Sequence, residues 1–249
     1  MKGKFLIIVG VILLLASCGG SSFTYQKNPV DEIITQKSNL ANYSITLNDM
    51  DYTEGSDSYK HQYKIIYQPT NNPDTLLLET TKWYSVSPEY FQKHVNDLGM
   101  ALVTVKNYVV EKQVSPPGYS DYVGNEKYGR WENRGGHSFW HFYGQYMFMS
   151  HMFNMVSPVR RSYYDGYVGS RHYGTPYYGP TNNGRTMYGT NSSSNSNTKW
   201  SSRSSSFKQR VRTKVKQSAN ASSKRRYSSR SSTRSRTSTR RSYGGGFGK

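Results

Sequence analysis

The chain predicts an α+β fold, a small antiparallel sheet with one or two packed helices. Three observations carry that expectation. Residues 59–68 alternate: Tyr59, His61, Tyr63, Ile65 and Tyr67 share one face, and Lys60, Gln62, Lys64, Ile66 and Gln68 the other. A half-buried strand gives this pattern because successive side chains point to opposite faces. Thr70-Asn71-Asn72-Pro73-Asp74 is a turn cluster that sends residues 75–86 back as the second arm of a hairpin. Ser87-Pro88-Glu89 then opens a helix: Ser accepts an orphan backbone N–H, Pro suits the first turn, and Glu complements the dipole.

The other elements follow in order. A short helix is expected near Asp31–Ser38, and the body begins near Asn42, where Tyr43-Ser44-Ile45-Thr46-Leu47 alternates like a strand. Gly99 suits the stop of the 87–99 helix, and the Val-rich stretch Met100–Val110 supplies a fourth strand. The order β-β-β-α-β predicts a sheet with a covering helix. Ser115-Pro116-Pro117-Gly118 interrupts the pattern. From Ser138 to Met155, the residues Phe139, Phe142, Tyr143, Tyr146, Met149 and Phe153 fit a 3.6-residue stripe, which predicts an aromatic helix. No Lys or Arg lies between Arg134 and Arg160, so burial against the sheet is favoured over a membrane surface, where a cationic polar face is usual. Tyr122-Val123-Gly124…Tyr128-Gly129 is echoed by Tyr167-Val168-Gly169…Tyr173-Gly174. Two copies make no solenoid; they read as turns with Gly at positive φ and Tyr packed over the backbone.

Charge divides the chain. The net +18 arises almost wholly beyond residue 156: residues 1–156 hold 13 Lys/Arg against 14 Asp/Glu, whereas 157–249 hold 20 against the single Asp165. From Thr190 onward there are 16 Lys/Arg, 25 Ser/Thr and no acid, a composition that predicts disorder. Residues 207–217 form an island in which Lys208, Arg210, Arg212, Lys214 and Lys216 alternate with other side chains, while Phe207, Val211 and Val215 also fit i, i+4, i+8. Coil is the expectation for the free chain, with a cationic helix on contact as the other reading. With Lys224, Arg225, Arg226, Arg230, Arg234, Arg236, Arg240 and Arg241, these cations form the expected anionic-surface site.

Chemistry-bearing motifs are few. His137 and His141 at i, i+4 would share a face of the aromatic helix and could chelate one ion, giving metal binding as a minor alternative. Asp49, Asp51, Glu54 and Asp57 cluster as a solvated hairpin rim would. There is no GxSxG, P-loop or helix-opening GxGxxG, so a non-catalytic protein without cofactor is expected. Basic residues with Trp200, Phe207, Tyr227, Tyr243 and Phe247 also suit nucleic-acid binding, which is the principal alternative.

The N-terminus sets the expected address. Lys2 and Lys4 precede an apolar run, Phe5–Leu15, that is too short to span a bilayer, and small residues lead to Cys18, the only cysteine. Leu15-Ala16-Ser17-Cys18 resembles the lipobox of bacterial lipoproteins, which implies acylation of Cys18, removal of residues 1–17 as a signal helix, and no disulfide. Gly19 in place of Asp favours the outer membrane over the inner or plasma membrane. The stretch Pro116-Pro117-Gly118-Tyr119-Ser120-Asp121-Tyr122-Val123-Gly124-Asn125, then Tyr128-Gly129-Arg130-Trp131 and Ser138-Phe139-Trp140…Phe142-Tyr143-Gly144, is similar to an uncharacterised family of bacterial lipoproteins. That resemblance, over Asn42–Val156, implies envelope placement and no catalytic residues.

The expected organisation is therefore a signal at 1–17, a lipidated linker at 18–41, the body at 42–156, a Tyr/Gly-rich segment at 157–189, and a basic tail at 190–249. Expected partners are the bilayer through Cys18, anionic lipid or wall polymer through the tail, and an envelope protein. An extracellular location argues against nucleic acid.

Overall fold

The computed structural model describes residues 28–72, 75–155 and 158–232. The signal, Cys18, Arg234, Arg236, Arg240 and Arg241 lie outside the described residues. The architecture is α+β, built on an antiparallel sheet. Strands β1 (Tyr43–Thr53), β2 (Ser58–Tyr67), β3 (Leu77–Thr80), β4 (Tyr84–Val86), β5 (Ala101–Lys106) and β6 (Val109–Glu111) pair in the order β3-β2-β1-β5-β6, with β4 also against β2. The expected return strand is thus present as two pieces.

Along β1 the inward residues are Tyr43, Ile45 and Leu47, then Met50 and Tyr52, a change of phase absorbed by a bulge at Asn48. The inward face of β2 carries the expected set, with Tyr59, His61, Tyr63 and Ile65 buried. Two helices of the sequence reading cover this face. In α1 (Pro29–Gln36), Asn28 caps Val30 N at 3.0 Å, and Val30 and Ile33 are buried. In α2 (Pro88–His94), Ser87 Oγ accepts from Tyr90 N at 3.2 Å and Phe91 is buried. This helix stops at His94, well before Gly99.

The other face lies under a second, Tyr-rich core that joins Ile66 and Met100 to Tyr119, Tyr122, Phe153 and Tyr167. Here the expected aromatic helix over 138–155 is corrected. Strand β7 (Gly129–Arg134) pairs with β8 (His137–Phe142) in a register that sets Trp131 opposite Trp140. Gly135 and Gly136 form the two-residue connection, with φ of 57° and 76°. Such a Gly-Gly turn matches the twist of a hairpin, and this local chemistry prevails over the helical stripe. Only α3 (Phe148–Met152) is helical in that stretch, although Phe142, Tyr146, Met149 and Phe153 are buried as expected. Helix α4 (Arg161–His172) adds Tyr167 to this core. Gly124 has the expected positive φ, 79°, with the Tyr164 ring packed against it; Gly169 does not, because it lies within α4.

The expectation of disorder from residue 190 is corrected for residues 190–232. Helices α5 (Lys199–Ser202) and α6 (Ser205–Ser232) dock on the body, and Trp200, Val211 and Val215 are sealed in the first core. Composition suggested too little apolar surface to offset chain entropy. Four well-spaced side chains supply it, because the body offers a groove to receive them.

Candidate functional site

The docked basic segment begins where the sheet is incomplete. Strand β5 pairs with β1 only over Tyr43–Thr46, and Leu47 still exchanges backbone hydrogen bonds with Met100 and Gly99, so it is residues 49–53 that pair with β2 alone. The chain around 195–203 runs along that side. Asn195 Nδ2 donates to Leu98 O at 2.8 Å and to Gly189 O at 2.9 Å. Asp49 Oδ2 accepts from Lys199 N at 2.6 Å and Oδ1 from Trp200 N at 3.0 Å, so a carboxylate of β1 caps α5 from a distant part of the chain. Thr198 Oγ1 completes the cap by accepting from Ser201 N at 3.1 Å.

The acidic residues are not a solvated rim throughout, which corrects that expectation. Asp49 and Asp51 are buried, 8% and 5% exposed. Asp51 lies 2.5 Å from Lys199 Nζ and 3.1 Å from Arg203. Burial acts to raise its pKa, but hydrogen bonds and charge from Lys199 and Arg203 outweigh it and hold the carboxylate below its ordinary value. Glu54 and Asp57, on the turn, are exposed. They reach Arg210 at 3.4 Å and Lys214 at 3.1 Å.

Helix α6 realises the i, i+4, i+8 reading rather than coil. Phe207 sits 6.4 Å from the Tyr52 ring and 6.5 Å from Trp200, whose ring meets Phe91 at 5.7 Å. At 1.5 Å per residue the 28-residue helix is about 42 Å long, and its anchors Phe207, Val211 and Val215 lie in the first half. With 100° between residues, the cations sort onto two flanks of that apolar stripe. Arg210 and Lys214 flank one side and meet the acidic turn. Hydrogen bonds that Lys214 donates to Tyr52 and Asp57 raise its pKa above the usual range.

Lys208, Arg212 and Lys216 form a row on the other flank. Lys208 donates to Ser201 O at 2.8 Å, Arg212 is half-buried with its pKa lowered by burial, and Lys216 is exposed. None of the three makes an ion pair among the described residues. Lys224 is exposed further along, and the backbone of α6 carries Arg225, Arg226 and Arg230 beyond it.

The expected metal pair is not assembled. His137 and His141 lie on a strand, where four residues span about 13 Å, and both are exposed. Glu132 is held by Arg130 at 2.9 Å and Arg134 at 3.1 Å. Among the described residues no group of three or more His, Cys, Asp or Glu could hold a metal ion.

A cleft of roughly 250 Å³ opens on the Tyr-rich side of the sheet, between that layer and the docked segment. Thr46 and Lys64, opposite one another in the β1–β2 register, lie on its sheet side. Ile66 and Phe153 give it apolar wall, and Asn154 and Asn197 carboxamides. Lys64 is half-buried, burial lowers its pKa, and it has no ion pair among the described residues. Thr46 Oγ1 is buried without a hydrogen-bond partner.

Sequence reasoning located the cations but missed Trp200 as an anchor, the Asp49 cap and the cleft. The first was detectable: Trp200, Phe207, Val211 and Val215 are spaced by seven, four and four. No family model matches the chain, and no curated protein or solved structure matches it. Among the described residues no helix is long and apolar enough to cross a membrane. Charge and geometry are what remain to argue function from.

Proposed function

We propose that this protein is a lipid-anchored, non-catalytic tether of the cell envelope. Acyl chains on Cys18 hold it to a bilayer, and α6 presents cations to an anionic surface of phospholipid or wall polymer. The observation that supports this reading is the asymmetry of α6. Arg210 and Lys214 are paired with carboxylates of the body, whereas Lys208, Arg212 and Lys216 form a row that makes no ion pair among the described residues. Each Lys or Arg at an anionic surface contributes about 1 kcal/mol. Three on one flank are therefore enough to reinforce a lipid anchor, since one acyl chain alone attaches only marginally.

The test uses the full chain and vesicles with and without anionic lipid. Replacing Lys208, Arg212 and Lys216 by Gln should abolish most of the salt-sensitive binding, while Arg210→Gln with Lys214→Gln should leave it intact. Equal loss in both variants, or none in either, removes the proposed role of the free flank. Duplex DNA as a competitor separates the alternative: displacement by DNA at equal charge concentration, with vesicles unable to displace DNA, would transfer the helix to nucleic acid.

A further inference from the structure

We propose that the cleft over Thr46 and Lys64 binds a small molecule through an oxyanion, a carboxylate or a phosphate, held by the Lys64 ammonium. This is independent of the tethering helix, which lies against the opposite core.

The case begins with how differently Lys64 is treated from the other cations around it. Lys199 and Arg203 are matched to Asp51, and Lys106 lies 3.0 Å from Asp121. Lys64 is half-buried in the sheet and matched to nothing among the described residues. The one carboxylate lining the same cleft, Asp49, makes no ion pair with it. Asp49 accepts instead from Lys199 N at 2.6 Å, Trp200 N at 3.0 Å and Met50 N at 2.8 Å, which occupy most of its acceptor sites.

The surroundings suit an anion rather than bulk water. Apolar Ile66, Pro117 and Phe153 line one side, which lowers the local dielectric and strengthens any charge pairing made there. Asn197 contributes a carboxamide that makes no side-chain hydrogen bond among the described residues, and Asn154 spends its amide on Ser194 O at 2.8 Å. The lining thus holds a further donor for a second oxygen of the ligand. The bulge at Asn48, where β1 changes phase, forms part of the rim, a use of bulges common beside binding sites. Size limits the ligand. The roughly 250 Å³ of the cleft admits inorganic phosphate or a short-chain carboxylate.

Calorimetric titration of the full chain with inorganic phosphate and, separately, acetate at constant ionic strength tests the proposal. Saturable binding of one probe is expected, and which one binds separates a phosphate ligand from a carboxylate. Lys64→Met should weaken binding by about tenfold or more, the usual weight of a charge-assisted contact. Lys60→Met, on the same strand but outside the cleft, should change it less than about twofold. Lys64→Gln repeats the measurement should the Met variant misfold. Failure of both probes to saturate, or equal weakening by Lys60→Met and Lys64→Met, overturns the site; the latter would trace binding to the overall +18 charge.

Discussion

The two faces of the central sheet are covered by different chemistry. The inward face is closed by aliphatic and aromatic side chains from α1, α2, α5 and α6, with Ile33, Ile45, Leu47, Phe91, Trp200 and Val215 nearly or wholly sealed. The other face is closed by tyrosines whose hydroxyls pair with one another: Tyr119 with Tyr188 at 2.7 Å, and Tyr167 with Ser120 at 2.8 Å. The first layer depends on burial, which is non-directional, and the second also on hydrogen bonds that need both partners. The difference teaches why a Ser/Arg-rich segment folds here. A face that asks only for apolar side chains at helical spacing accepts them from a highly charged helix, provided the cations point elsewhere.

The largest expected effect would break the comparison if absent. Trp200→Ala should cost about 3–5 kcal/mol, as aromatic truncations in cores do, and detach α6, read as a lower urea midpoint with loss of helical circular dichroism. A change below about 1 kcal/mol would mean the helix is not part of the first core. Tyr119→Phe should cost about 1–2 kcal/mol, because it strands the buried Tyr188 hydroxyl; urea midpoints measure it, and a neutral outcome would make the second face a purely apolar one.

Acid and alkali should separate the faces further. His61, on the first face, has its pKa held well below the ordinary 6.5 by burial and then by His94. The unfolded chain takes up a proton near pH 6.5 that the folded chain refuses, so this contribution is lost as pH falls below that value. Asp121, under the second layer, is raised to about 6 by burial, against the opposing pull of Lys106. The folded chain keeps a proton that the unfolded one releases above 3.8, so its contribution is present in acid and lost as pH rises through about 6. Urea midpoints across this range should lose the acid limb in His61→Phe and the opposite limb in Asp121→Asn. The smallest effect is expected at Arg210→Ala, roughly 0.5 kcal/mol or less for an exposed ion pair. A greater loss would mean that the turn, and not the apolar stripe, seats the helix.

Much of the sheet was legible in the chain. The alternation of 59–68 and the Ser-Pro-Glu start are local signals, and each became the expected strand or helix, while β3 returns antiparallel to β2; Pro73 and Asp74 of the expected turn lie outside the described residues. The aromatic stretch 138–155 misled because its stripe fits 3.6 residues, while the decisive signal, Gly135-Gly136, sat just before it. The site was half legible. Composition located the cations of α6, but not which ones the body neutralises, because Glu54 and Asp57 are about 156 residues away along the chain.

By itself the sequence determined the strand at 59–67, the helix that opens after Ser87, the charge divide and the inward face of β2, since these depend on neighbours a few residues apart. Tertiary structure alone decided that Asp49 caps α5, that Trp200 closes the first core, and that Lys64 borders a cleft with no counter-ion among the described residues. Each of those depends on distant segments meeting, and burial then turns an ordinary polar side chain into one whose partners matter.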